Sequence, residues 1–150
     1  MSNFTVTRKL KFDAAHRVMR HESKCATLHG HEYRVEITCE ATSLDNVGRV
    51  VDFGVIKERV GAWIDQHWDH GTLVNGEDIR LREWLESNTQ KHFVFGSQEP
   101  GQGGEPTAEN IAKELYKQTC LLLPGKGLRV AKIRVWETIN SYADYTEDSP

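Results

Sequence analysis

Three histidines, His16, His29 and His31, carry the most chemistry in this sequence by type and spacing. His29 and His31 are two residues apart, so in extended chain both imidazoles point to the same face. Gly30 between them lets the backbone fit closely against a neighbour. Neutral imidazoles gathered at a sheet end form a zinc donor set. Three of them leave a fourth position open for water or substrate, as in catalytic rather than structural zinc sites. The plainer account of any one of them is a hydrogen-bonded histidine near the core, but three converging on one edge favour coordination. Cys25, four residues ahead of His29, has two readings that spacing does not separate. It is either a fourth ligand that closes the site or a thiolate beside the metal, whose charge lowers a thiol pKa and makes a base or nucleophile. Cys39 and Cys120 read as small buried hydrophobes in a strand and a helix.

Two carboxylates stand in positions that suit proton transfer. Asp69 directly precedes His70 at a helix end, where it could orient the imidazole, although an exposed histidine in a last turn is the plainer account. Glu137 extends an otherwise apolar strand face, so it lies either at the wet end of that strand or buried for a purpose.

The elements that must position these groups are legible from periodicity. Phe4 to His16 alternates, with Phe4, Val6, Leu10, Phe12, Ala14 and His16 on one side and Arg8 the exception there. From His31 to Glu40 the alternation is cleaner, with His31, Tyr33, Val35, Ile37 and Cys39 sharing a face. Antiparallel pairing of these two strands sets the end of the first beside the start of the second, and the three imidazoles converge. Between Asp52 and Trp68 the period becomes helical, through Ile56, Val60, Trp63 and Ile64, with Asp52 as N-cap. A second helix starts near Thr107 behind Pro106 and ends at Pro124 and Gly125. Arg129 to Glu137 predicts a third strand, and Ser141 to Tyr145 a short fourth in a hairpin with it. The expected fold is therefore α+β, a four-stranded antiparallel sheet with two helices layered on one face. Residues 76–105 are the least regular part, with a short helix (Ile79 to Leu85), an apolar knot (Phe93, Val94, Phe95) and a Gly-rich tail. Long connections of this kind are usually functional lids or surface segments.

At 150 residues the chain fits one domain, 1–150, with 76–105 as an insertion. Its 38% apolar and 27% charged residues are ordinary globular values and argue against disorder. A net charge of -3 with no basic cluster speaks against a nucleic-acid platform. No apolar run is long enough to cross a bilayer, and Met1 to Lys9 lacks the apolar stretch of a secretory signal. Three cysteines without regular spacing make no disulfide framework, so a reducing cytoplasm is the expected compartment.

Six segments then occur in a recognisable order: FDAAH (12–16), CATLHGHEY (25–33), VVDFGVIK (50–57), WDHGTL (68–73), PTAEN (106–110) and VWET (135–138). Together they resemble the 6-pyruvoyl-tetrahydropterin synthase family, and more closely its bacterial branch, 6-carboxy-tetrahydropterin synthase. The resemblance covers nearly the whole chain outside 76–105. It implies the tunnelling fold (T-fold), in which subunits form a ring-like barrel, commonly a hexamer, with active sites at subunit interfaces. It implies that His16, His29 and His31 hold Zn2+, that Cys25 is the catalytic cysteine, and that Asp69 and His70 are the proton-relay pair. It further implies that Glu137 anchors the pterin ring and joins the relay, and that Thr107 and Glu109 line the pterin pocket. The implied reaction converts 7,8-dihydroneopterin triphosphate to 6-carboxy-tetrahydropterin, acetaldehyde and triphosphate, on the way to 7-deazaguanine and queuosine. The spacing of four between Cys25 and His29 matches the carboxy branch, whereas the pyruvoyl enzymes have a longer loop there. Trp68 in place of an aliphatic residue, and the long 76–105 segment, depart from the family pattern.

Three other readings remain open: a pyruvoyl-type synthase that keeps the carbon chain, a zinc hydrolase, and a non-catalytic zinc or pterin-binding module. The hydrolase lacks an HExxH-type base. Nothing in the sequence gives a role to His21, His67 or His92.

Overall fold

The computed structural model describes residues 3–96, 104–123 and 125–148. Two long strands carry the architecture: β1 (Phe4–His16) and β2 (His29–Ala41), paired antiparallel from Phe4 opposite Ala41 to His16 opposite His29. β2 pairs on its other side with β5 (Arg129–Thr138), which forms a hairpin with β6 (Ser141–Tyr145). This is the antiparallel set that alternation predicts.

The sheet does not stop there. β3 (Gly71–Asn75) pairs parallel with the end of β1, and β4 (His92–Phe95) pairs parallel with β3. The result is a six-stranded mixed sheet in the order β4-β3-β1-β2-β5-β6, not the expected four-stranded antiparallel one. The reason is physical. Leu73, Val74 and Asn75 are all buried, so β3 is covered on both faces and shows no alternation to read. The apolar knot at 93–95 is strand β4, and its buried Phe95 belongs to the core.

Among the described residues there are three helices, the two expected to layer on the sheet and the short one expected at Ile79 to Leu85. The first, α1 over 53–67, runs α-helical through Phe53–Ile56, π-helical through Lys57–Gly61 and α-helical again through Ala62–His67. Asp52 caps it, its side chain accepting from the Gly54 N–H at 2.8 Å. The second, α2 (Ile79–Ser87), lies between β3 and β4 in the chain and completes a βαβ unit. The third, α3 (Ala108–Leu122), is capped by Thr107. Ile56, Val60 and Ile64 of α1 and Ile111, Ala112 and Leu115 of α3 pack into one core with Phe12, Tyr33, Val35, Ile37, Ile133 and Val135 of the sheet. Each such fully buried side chain stabilises the fold by roughly 1.5–3 kcal/mol. That core is the platform on which the ends of β1 and β2 are held.

Trp68 explains the segment that follows it. The side chain is fully buried against Phe12, Phe93 and Phe95, with ring centroids 5.4, 5.8 and 6.0 Å away. The tryptophan thus fills the space that Phe93 and Phe95 of β4 cover. Cys39 is buried as expected, but Cys120 is exposed. In α3 it is Thr119 that faces the core, and the next residue points outward. Among the described residues, no helix is long and apolar enough to cross a membrane.

Candidate metal centre and active site

The register of β1 on β2 assembles the histidines. His16 lies directly opposite His29, and His31 opposite Ala14, so all three side chains leave the sheet on the same face. Their ring centroids are 4.7, 4.8 and 5.1 Å apart, with the planes steeply inclined to one another. One donor atom from each lies within 4.8 Å of the others. Gly30 plays a smaller part than expected, because a Cβ there would meet the Ala14 carbonyl oxygen at 3.4 Å, an ordinary contact.

Backbone carbonyls fix the tautomers. His16 Nδ1 donates to the Pro106 carbonyl oxygen at 2.7 Å, and His29 Nδ1 donates to the Thr27 carbonyl oxygen at 2.6 Å. A carbonyl can only accept, so the proton sits on Nδ1 and a lone pair is left on Nε2 of each neutral ring. His16 Nε2 is buried and has no hydrogen-bond partner. Burial holds the pKa of His16 and of His31 below the ordinary histidine value, against the pull of the nearby Glu137 carboxylate. An orphaned, buried, unprotonated nitrogen aimed at two further imidazoles is the donor chemistry a zinc ion requires. The residues present fit the metal.

Glu137 joins the cluster. Its Oε1 lies 3.4 Å from His16 Nε2 and 3.8 Å from His31 Nε2, with the side chain about one-third exposed. The same carboxylate lines an open groove with Ala108, Glu109, Ser141, Tyr142 and Asp144. Glu137 therefore faces the histidines on one side and a ligand-sized groove on the other, and Glu109 shares that groove. Thr107 is less available, since its hydroxyl already accepts from the Asn110 N–H at 3.2 Å.

Cys25 is half-buried in a short 3-10 turn, Lys24–Ala26, whose carbonyl at Cys25 accepts from the Val18 N–H at 2.9 Å. Its sulfur is not among the donors grouped with the three histidines.

Asp69 and His70 are built as a pair but elsewhere. Asp69 Oδ2 accepts from His70 Nδ1 at 2.8 Å, and Oδ1 accepts from the Asp13 N–H at 2.9 Å. Burial pushes the Asp69 carboxyl up, yet the Asp13 N–H and the His70 ring outweigh it and hold the pKa below the usual range. His70 adopts φ 61°, a left-handed turn that stops α1 and turns the imidazole out, 76% exposed. Asp13 points to the exposed face of β1, opposite Phe12, Ala14 and His16. Within one chain the dyad thus groups with Asp13 on one face of the sheet, and the histidine cluster lies on the other.

The remaining histidines serve local structure. His21 Nδ1 accepts from the Ser23 N–H, His92 Nδ1 donates to the Gln90 carbonyl, and His67 packs on Trp63. One partner of the centre carried no sequence signal, and another was legible only as a residue on the His31 face. The Pro106 carbonyl is a backbone group. Tyr33, whose buried hydroxyl has no partner, sits with its ring 5.8 Å from His16 and 5.4 Å from His31. Burial raises its pKa far above the ordinary tyrosine value, so it stays a neutral wall of the site.

Comparison with known proteins bears on this geometry. Residues 5–148 match the family model for 6-pyruvoyl tetrahydropterin synthase. A 6-carboxy-5,6,7,8-tetrahydropterin synthase of Rickettsia bellii is 37% identical over 140 residues, spanning 92% of this chain and 96% of the relative. The protein of that name from Rickettsia felis is 34% identical over 139 residues, with the same coverage. Among solved structures, an uncharacterized protein from Wolinella succinogenes aligns with a TM-score of 0.78 at 20% identity, covering 99% of this chain and 100% of that one. Caenorhabditis elegans 6-pyruvoyl tetrahydropterin synthase aligns with a TM-score of 0.69 at 19% identity, covering 99% and 98%. The fold is shared with these structures, and the chain belongs to the 6-pyruvoyl tetrahydropterin synthase family.

Proposed function

We propose that the protein is a zinc-dependent 6-carboxy-5,6,7,8-tetrahydropterin synthase, converting 7,8-dihydroneopterin triphosphate to 6-carboxy-tetrahydropterin, acetaldehyde and triphosphate for 7-deazaguanine and queuosine synthesis. The observation that carries the metal is the buried, partnerless His16 Nε2 facing His29 and His31. The observation that favours the carboxy product is the shared name of relatives 34–37% identical over most of the chain.

His16, His29 and His31 would hold the ion through ring nitrogens, with Nε2 of His16 and of His29 turned to it because backbone carbonyls hold each Nδ1. When bound, zinc supplies Lewis acidity toward the hydroxyls of the substrate side chain. Glu137 receives the pterin amino and ring N–H groups, a bidentate contact suited to a carboxylate, with Glu109 in the same groove and Thr107 a further contact by family resemblance. Cys25 as thiolate abstracts and returns protons on the side chain, and His70, held by Asp69, relays them.

Because Asp69 and His70 lie across the sheet from the metal residues of their own chain, the complete site draws the dyad from a neighbouring copy. That arrangement supports a homo-oligomer, a hexamer by family resemblance. One domain over 1–150 with an insertion at about 76–105, and a reducing cytoplasm that keeps Cys25 a thiol, complete the reading. It is tested by measuring turnover of 7,8-dihydroneopterin triphosphate with protein of known zinc content, then after chelation and zinc restoration. Activity that tracks zinc supports it, and full activity in metal-free protein overturns it.

A further inference from the structure

The three histidines do not orient themselves. His16 is aimed by the Pro106 carbonyl, and the residue before Pro106 is Glu105, whose side chain reaches back into the loop that leaves β1. Glu105 Oε2 accepts from the Arg20 N–H at 3.0 Å, while Oε1 accepts from the Met19 N–H at 3.3 Å and from Asn75 Nδ2 at 2.6 Å. Its own carbonyl accepts from the Thr107 N–H at 2.8 Å and from Asn110 Nδ2 at 2.9 Å, which ties it to the cap of α3. Asn75 is buried at the end of β3, and its Oδ1 accepts from the Glu77 N–H. Gly104 is glycine because a Cβ there would come within 2.5 Å of Asn75 Oδ1. Met19 and Arg20 follow Val18, whose N–H holds the Cys25 carbonyl. The Glu105 carboxylate thus joins β3 to the root of the Cys25 turn, while its backbone carbonyl holds the start of α3, directly before the carbonyl that fixes the His16 tautomer.

We propose that Glu105 is the positioning residue of the metal centre, holding the Pro106 carbonyl against His16 and the Cys25 loop beside it. This inference rests on the zinc reading above. The chemistry is specific to a carboxylate. Three N–H donors converge on two oxygens that only accept, and an amide of the same size offers one acceptor and turns its own N–H groups toward a donor. Outer partners that orient a ligating histidine set metal affinity in this way.

The test compares wild type, Glu105→Gln and the exchange variant Asn75→Asp/Glu105→Gln, in which the glutamine amide donates to the new carboxylate and its oxygen faces the Arg20 N–H. Zinc affinity is measured by chelator competition, ligand geometry by the visible spectrum of the Co2+-loaded proteins, and metal-free stability by thermal melting. Glu105→Gln is expected to bind zinc roughly 10–100-fold more weakly with an altered Co2+ spectrum. The exchange variant is expected to recover most of that affinity, and metal-free melting is expected to stay close to wild type in both. Unchanged zinc affinity in Glu105→Gln overturns the proposal. So does a metal-free Glu105→Gln protein that melts far lower or does not fold, which would make the role structural only. A wild-type protein that takes up no zinc refutes the metal reading instead.

Discussion

His16 Nδ1 stands 2.7 Å from the carbonyl oxygen of Pro106, across ninety residues of sequence. That contact presents a lone pair on a buried Nε2 that no hydrogen-bond donor meets. One zinc ion per chain is the expected content of the purified protein. His29→Ala, at a half-buried strand end, is expected to lower zinc affinity by more than about 100-fold, beyond what loss of an outer partner costs. Metal analysis and far-UV circular dichroism together check this, and a folded variant that retains its zinc would remove His29 from the ligand set.

Cys25 lies outside the group of donors that could share an ion. Cys25→Ala should therefore keep its zinc while kcat falls about 10²–10⁴-fold, the range for a lost proton-transfer group. Loss of zinc in this variant would instead make Cys25 a ligand, and intact turnover would end its catalytic role.

The Asp69–His70 dyad and the three clustered histidines sit on opposite faces of one sheet, so two individually inactive variants should complement each other. Mixing Cys25→Ala with His70→Ala after dissociation and reassembly is expected to restore about a quarter of the sites, those pairing an intact cysteine with an intact neighbouring histidine. No recovery in verified mixed oligomers would place both groups in one subunit's site.

Burial keeps His16 and His31 below the ordinary histidine pKa. The unfolded chain takes up these protons near pH 6.5 while the folded chain resists them. The stability of metal-free protein is thus full above about pH 6.5 and declines progressively as the pH falls toward the lowered folded values. Denaturant melts across this window are expected to show the decline, and a shallower one in His16→Asn. A flat wild-type profile would contradict the buried-neutral assignment.

Trp68 fills a fully buried space beneath β4. Trp68→Ala is expected to destabilise the protein by about 3–5 kcal/mol in denaturant titrations, as cavity formation at a large aromatic does. A loss below 1 kcal/mol would mean that β4 does not depend on this packing.

Much of this was legible in the residues, and the exceptions have identifiable causes. Alternation located β1, β2, β5 and β6, and the caps at Asp52 and Thr107 located two helices, because side chains half in water leave a period. β3 and β4 left none, being four or five residues long and, in β3, covered on both faces. Glu137 stood out because a carboxylate breaks an apolar face. The Pro106 carbonyl could not, since backbone acceptors are common to every residue. The Asp69–His70 adjacency was visible, but its side of the sheet follows from the left-handed turn at His70 and the Asp13 N–H.

The reaction itself is the central claim, and its products test it most directly. Zinc-loaded protein incubated with 7,8-dihydroneopterin triphosphate should release acetaldehyde and 6-carboxy-tetrahydropterin in equal amounts, assayed by aldehyde trapping and mass spectrometry. Conversion to a pyruvoyl-type pterin with triphosphate release and no acetaldehyde would contradict the account.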